Sequence, residues 1–186
     1  MHVQPRESRL SAFRVRPAVV SDAQGYIDLI RSVLTEQPPV DTPYTVAEFD
    51  PPVERIAGRI LDVSESDNSC FLIAEADDDD VIGALTCAGG TLAADHHVTS
   101  LGMYVHKRWR DQGVGTALMD ACITWAEASP AVRRIELEVY AGNARAIHLY
   151  EKYGFEHEGR KRRMVYQNGA YIDNLIMARL LEKAGR

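Results

Sequence analysis

No stretch of the chain comes near the roughly 18 consecutive apolar residues that a membrane-spanning helix requires. The opening MHVQPRESRLSA holds charges and no apolar run of the kind a secretory signal needs. Neither membrane insertion nor secretion is expected. Positive charge is in deficit, with 21 Lys and Arg against 27 Asp and Glu and a formal net charge of -6. That is the wrong sign for gripping phosphate backbones, so nucleic acid is disfavoured and small molecules or proteins are the expected partners. Cysteine is scarce. Cys70, Cys87 and Cys122 are odd in number, far apart in the chain and set in apolar stretches. This pattern fits reduced thiols in a reducing cytoplasm and argues against a disulfide framework or a zinc site, so no metal is expected. What remains suffices for a core: 186 residues, 46% apolar and 26% charged, fill one globular domain.

Residues 1–12 read as a flexible arm and 13–182 as the domain. Phe13-Arg-Val15-Arg-Pro17 alternates with the period of a strand. Ser21-Asp22 then offers an N-cap to a helix carrying Ile27, Leu29, Ile30, Val33 and Leu34 on one face and ending near Glu36. A proline-rich loop leads to a second helix through Ile56, Ile60 and Leu61. Cys70–Ala74 and Val81–Leu85 read as paired strands around Asp77–Asp80, a run of like charge that belongs on a solvated hairpin tip. A strand over 98–105, a helix over 113–128, a strand over 134–140 and a short helix after Asn143 follow. From Gly154-Phe155 onward a strand turns at Asn168-Gly169 and returns over 171–180. This order predicts an α/β (α+β) fold with one mixed sheet of about seven strands covered by about four helices.

Arg110-Asp-Gln-Gly113-Val-Gly115-Thr116 lies between a strand and an amphipathic helix. Glycines there let main-chain N–H groups approach a ligand, and a helix N-terminus leaves such donors unpaired, so an anion is the natural guest. A P-loop needs a lysine after its last glycine, and Thr116 stands there. A dinucleotide fingerprint wants its first glycine at the end of the strand and a third at Leu118, so its spacing also fails. A merely close-packed turn is the remaining alternative.

The segment resembles the first signature of the GNAT superfamily of acyl-CoA-dependent N-acetyltransferases, through Arg110, Gly113 and Gly115. Leu101-Gly-Met103-Tyr104-Val105 looks like that family's central strand, Trp109 holds its aromatic position, and Lys107 departs from its frequent proline. Leu137-Glu138-Val139, Asn143, Ala146, Leu149-Tyr150 and Gly154-Phe155 are similar to its second signature at its spacing. The resemblance implies a GNAT-like single domain and acetyl-CoA as co-substrate. It implies that backbone N–H groups of Gln112, Gly113, Val114, Gly115 and Thr116 bind the diphosphate, and that Met103 and Val105 pair with the pantetheine arm like another strand. Tyr104, Arg110, Asp111, Asn143, Ala146 and Tyr150 complete the expected coenzyme contacts.

Transfer to an amine expels a thiolate, and a phenol with a reference pKa of about 10 is a ready proton donor at pH 7. Tyr150 is therefore the expected general acid, its alternative being a core tyrosine with a satisfied hydroxyl. Glu138, twelve residues earlier, resembles the glutamate paired with tyrosine in ribosomal-protein alanine N-acetyltransferases and is the candidate base. Its alternative is a solvated strand residue between buried Leu137 and Val139. Histone-type members carry a glutamate where Thr99 stands, so that route is absent. Histidine can serve as a proton acceptor in general, but His96, His97 and His106 read as surface histidines. Arg160-Lys-Arg-Arg163 could steer an anion or be a solvated strand. Asn168-Gly-Ala-Tyr171-Ile-Asp173 resembles bacterial members acting on small amines, where Asp173 would meet a substrate ammonium. The expected acceptor is a primary amine of an amino acid, polyamine or antibiotic. A protein N-terminus or a non-catalytic acetyl-CoA-binding module are the alternatives, and a homodimer is the assembly to test.

Overall fold

Residues 13–36, 42, 47–77, 80–167 and 169–182 are described by a computed structural model. The proposed arm, most of the proline-rich loop, two of the four aspartates and Asn168 lie outside them. The strands are β1 (Phe13–Pro17), β2 (Cys70–Ala76), β3 (Val81–Gly89), β4 (Val98–Val105), β5 (Arg134–Tyr140), β6 (Glu156–Gln167) and β7 (Ala170–Leu180). The helices are α1 (Ala23–Leu34), α2 (Val53–Ser64), α3 (Val114–Ala128) and α4 (Ala144–Lys152). One mixed sheet runs β1-β2-β3-β4-β5-β7-β6, antiparallel at every step except β4 against β5.

β2 is buried at all seven positions, which explains why its sequence runs apolar instead of alternating. Phe71 and Ile73 face α1 and α2, whereas Cys70, Leu72 and Ala74 face the larger core under α3. Its one acid, Glu75, is buried but accepts from Arg14 and Arg16 of β1. Asp22 occupies the N-cap position of α1, as the sequence predicts, without a side-chain hydrogen bond to the helix. Its carboxylate instead accepts from Val19 N–H at 2.7 Å and from Arg16, closing the 3-10 turn that precedes the helix. Leu61 is exposed, because the buried face of α2 runs through Ile56 and Ile60 only.

The feature that makes a site is a split in the sheet. β4 and β5 pair only from Val98 to Ser100 and Arg134 to Glu136. Beyond that, β4 stays on β3 as far as Val105 and β5 stays on β7 as far as Tyr140, so each strand keeps one ladder and the two diverge. Thr99 lies within the paired part and is fully buried, its hydroxyl without a partner among the described residues.

Candidate functional site

In the β3–β4 ladder, Gly90 N–H donates to Val98 O and His106 N–H to Ile82 O. Antiparallel alternation then turns the even-numbered main-chain groups of β4 toward β3, leaving those of Leu101, Met103 and Val105 facing the split. The split opens into a cleft of about 1440 Å³ between β4, β5 and the first turns of α3 and α4. Met103, Tyr104 and Val105 line it, as do Leu137, Glu138 and Val139 on the opposite strand. An extended chain with amide groups would find there the unpaired edge that a sheet normally presents to another strand.

The loop at the end of the cleft has a rigid frame. Arg110 lines the cleft, but its Nε donates to Val105 O at 3.0 Å and its guanidinium ends on the buried carboxylate of Glu36, with Nη1 to Oε2 at 2.8 Å. Arg110 thus ties the loop to the end of α1 and takes the Val105 carbonyl, leaving the Val105 N–H toward the split. Asp111 and Gly113 have φ of 60° and 86°, left-handed values that glycine adopts without strain. Gly113 is the N-cap of α3, and the N–H groups that follow are the unpaired donors of a helix start, at its positive pole. Gly113, Gly115 and Thr116 line the cleft. Val114 is fully buried beneath them, and the Gln112 side chain turns back to Arg108 O. Tyr153 donates its hydroxyl toward Thr116 O at 2.9 Å and Asp120 at 2.6 Å, bracing α4 against this first turn.

Asn143 caps α4, its Oδ1 accepting from Ala146 N–H at 3.2 Å, and both residues line the cleft. Tyr150, two turns on, is buried against Phe155 with ring centroids 5.7 Å apart. Tyr150 O accepts from the N–H of Tyr153 and Phe155, and Gly154 closes the helix at φ 77°. The Tyr150 ring belongs to the core, while its hydroxyl has no hydrogen-bond partner among the described residues. Burial pushes its pKa up to about 12, so the phenol stays protonated at neutral pH.

Glu138 projects from β5 into the cleft, where its Oε1 accepts from Lys161 Nζ and its Oε2 from Asn174 Nδ2 at 3.1 Å. Burial alone would raise its pKa. The Lys161 ammonium and the Asn174 amide outweigh that and hold it below the usual carboxylate range. Asp173 does not line the cleft. Its Oδ1 accepts from Arg163 N–H at 2.7 Å and its Oδ2 from Arg160 Nε at 2.8 Å, pinning a bulge in β6 where Arg163 has a φ of 53°. These bonds, led by the Arg163 N–H, lower its pKa. The basic cluster therefore divides, with Lys161 in the cleft and Arg160 on Asp173.

Asn174, Arg145, Lys152 and His148 are not singled out by the sequence, which names Lys161 only as part of the basic cluster. Lys161 had a signal in the alternation of β6, which sets it apart from Arg160 and Arg162. Arg145, Lys152 and His148 line the cleft from α4, Arg145 lying 3.3 Å from Asp111. His96 is held by Asp67 and Asn68 outside the cleft, His97 is exposed at the far end of β4, and His106 caps a 3-10 turn.

The model of the Acetyltransferase (GNAT) family matches residues 30–155. The L-amino acid N-acetyltransferase AaaT of Escherichia coli (strain K12) is 42% identical over 103 residues, 55% of this chain and 64% of that protein. The chain spans somewhat less than two thirds of the curated relatives it matches. The acetyltransferase of GNAT family from Streptococcus pneumoniae superposes with a TM-score of 0.86 at 27% identity, over 91% of this chain and 100% of that one. A phosphinothricin acetyltransferase of Sinorhizobium meliloti, solved in complex with AcCoA, shares the fold with a TM-score of 0.78 at 20% identity, over 91% of this chain and 88% of its own. With the split sheet, the glycine loop and the matched stretch in agreement, the chain belongs to the GNAT family of acetyltransferases.

Proposed function

We propose that this protein is an acetyl-CoA-dependent N-acetyltransferase acting on the primary amine of a small molecule, with free amino acids as the leading class. The observation that carries the reading is the cleft itself, an unpaired strand edge that ends at the N-terminus of α3 and has Tyr150 in its wall. The 42% identity to an L-amino acid N-acetyltransferase favours amino acids within the amine class. The residues fit the coenzyme: Met103 and the Val105 N–H suit the amides of its arm, and the α3 donors with Arg145 nearby suit its phosphates.

When bound, acetyl-CoA supplies a thioester whose carbonyl carbon the acceptor amine attacks. Tyr150 gives its proton to the departing sulfur, a role its raised pKa suits because the proton is kept until charge develops. Glu138, ionised and beside Lys161, holds the acceptor amine and takes its surplus proton. Its lowered pKa makes it a weak base that orients as much as it abstracts. Asp173 is the remaining substrate contact to test, requiring release from Arg160.

The test is thiol release from acetyl-CoA across a panel of amino acids, polyamines and amine antibiotics. Turnover of one or more amino acids is expected. Tight coenzyme binding with a silent panel but active peptide N-termini would move the substrate to proteins. Calorimetric binding without turnover on any amine would leave a binding module.

A further inference from the structure

All three cysteines of the chain meet at one point. They come from β2, β3 and α3, yet the Sγ atoms of Cys70, Cys87 and Cys122 all lie within 4.8 Å of one another, with Cys87 and Cys122 at 3.6 Å. Cys70 and Cys87 are register partners on neighbouring strands, and Cys122 packs onto them from α3. The thiols are free, and they are buried at 6%, 1% and 0% exposure in the larger core.

Bonds from a soft ion to thiolate sulfur of about 2.3 Å place the sulfurs roughly 3.5–4.0 Å apart. The trio therefore needs only side-chain adjustment to close on a common centre. No carboxylate or imidazole joins them within that distance among the described residues, so the charged donor set is three sulfurs. Charge narrows the choice further. Three thiolates around a divalent ion leave a net negative charge in an apolar core, which is costly unless compensated. Arg179, the cation acting on Cys122, is already paired with Glu127. A trivalent centre leaves no net charge and is satisfied by three sulfurs.

We propose that Cys70, Cys87 and Cys122 form a trithiolate site for a trivalent thiophilic metalloid, arsenite being the probe. Three S–H and three As–O bonds break, three As–S bonds form and three waters leave, with no change of oxidation state. Loading ties β2 and β3 to α3, the helix whose N-terminus frames the coenzyme loop. Because the thiols are buried, loading occurs while the core is open.

The full chain is refolded with arsenite and a phosphine reductant, then examined by native mass spectrometry and thermal denaturation. The expected product has gained one arsenic and lost three hydrogens, and melts several degrees higher than the free protein. Cys70→Ala, Cys87→Ala and Cys122→Ala should each bind at least tenfold more weakly and retain one hydroxyl on arsenic. Should a variant not fold, X-ray absorption of the wild-type adduct decides, three sulfur neighbours supporting the site. An oxygen neighbour in wild type, tighter binding of zinc than of arsenite, or no adduct with all thiols reduced overturns the proposal.

Discussion

Tyr150 joins two demands that are usually separate, since it packs in the core and also lines the cleft. Tyr150→Phe keeps the packing and deletes the proton, so turnover should fall about a hundredfold with acetyl-CoA affinity nearly unchanged. Steady-state kinetics alongside calorimetric titration check this, and a loss of affinity in step with rate would reassign the residue to binding. The neighbouring acid obeys a different sign. Glu138 is held below the usual carboxylate range by Lys161 and Asn174 against the effect of burial, so it is already ionised where the amine begins to deprotonate. The rising limb of the pH–rate profile should therefore follow the amine and not Glu138. Glu138→Gln should lose most rate near neutral pH and recover toward alkaline pH as solvent deprotonates the acceptor. A loss that is the same at every pH would make Glu138 a positioning residue. Both side chains are candidates from the sequence through its resemblance to the family's second signature. The Lys161 and Asn174 partners are not, since they reach Glu138 through strand pairing.

The glycine loop and α3 act as one element in which two glycines serve different ends. At Gly113 an added Cβ would meet nothing within 4 Å, but the residue sits at φ 86°. At Gly115 the dihedral is ordinary and a Cβ would touch Leu149 at 3.4 Å on the cleft wall. Gly113→Val should thus cost about 1–2 kcal/mol through left-handed strain and distort the loop. Gly113→Asn, which tolerates that conformation, should keep most of the coenzyme affinity. Gly115→Val should fold normally and lose binding, because its methyls stand where the ligand passes. Thermal melts with and without acetyl-CoA separate these cases, since only a protein that binds gains stability from the ligand. Normal binding by Gly115→Val would remove the anion-site argument. Gln112 contributes its main chain at most, as its side chain is spent on Arg108 O.

Across the whole molecule, the edge of the sheet is fastened by charge. Glu75 accepts from Arg14 and Arg16, and Arg16 continues to Asp22. Hydrogen bonds led by Arg14 hold Glu75 below its ordinary pKa, and Arg16 does the same for Asp22 against the effect of burial. A lowered folded-state pKa gives stability that is present above the unfolded value, about 4, and disappears as pH falls through the folded value. The melting temperature should therefore drop between about pH 5 and pH 2. Glu75→Gln should melt lower at pH 7 and depend less on pH in that window. Equal acid sensitivity in the variant would place the titrating groups elsewhere.

The sequence by itself determined the elements, their order and the two signatures, because caps, glycine turns and apolar periods act over a few residues. Gly113 at the start of α3, Asn143 capping α4 and Gly154 ending it are such local facts. Three matters were decided only by tertiary structure. β4 and β5 part after Ser100 because each is held by a different neighbour, and no residue in either strand encodes the split alone. Asp173, expected to meet a substrate ammonium, is engaged by Arg160 and by the Arg163 N–H at a bulge of the adjacent strand. The cysteines, expected as reduced thiols far apart in the chain, converge because β2, β3 and α3 pack into one core. The split and the cysteine cluster join residues far apart in the chain, and the Asp173 contacts, 13 and 10 residues apart, exist only once β6 and β7 have paired in register.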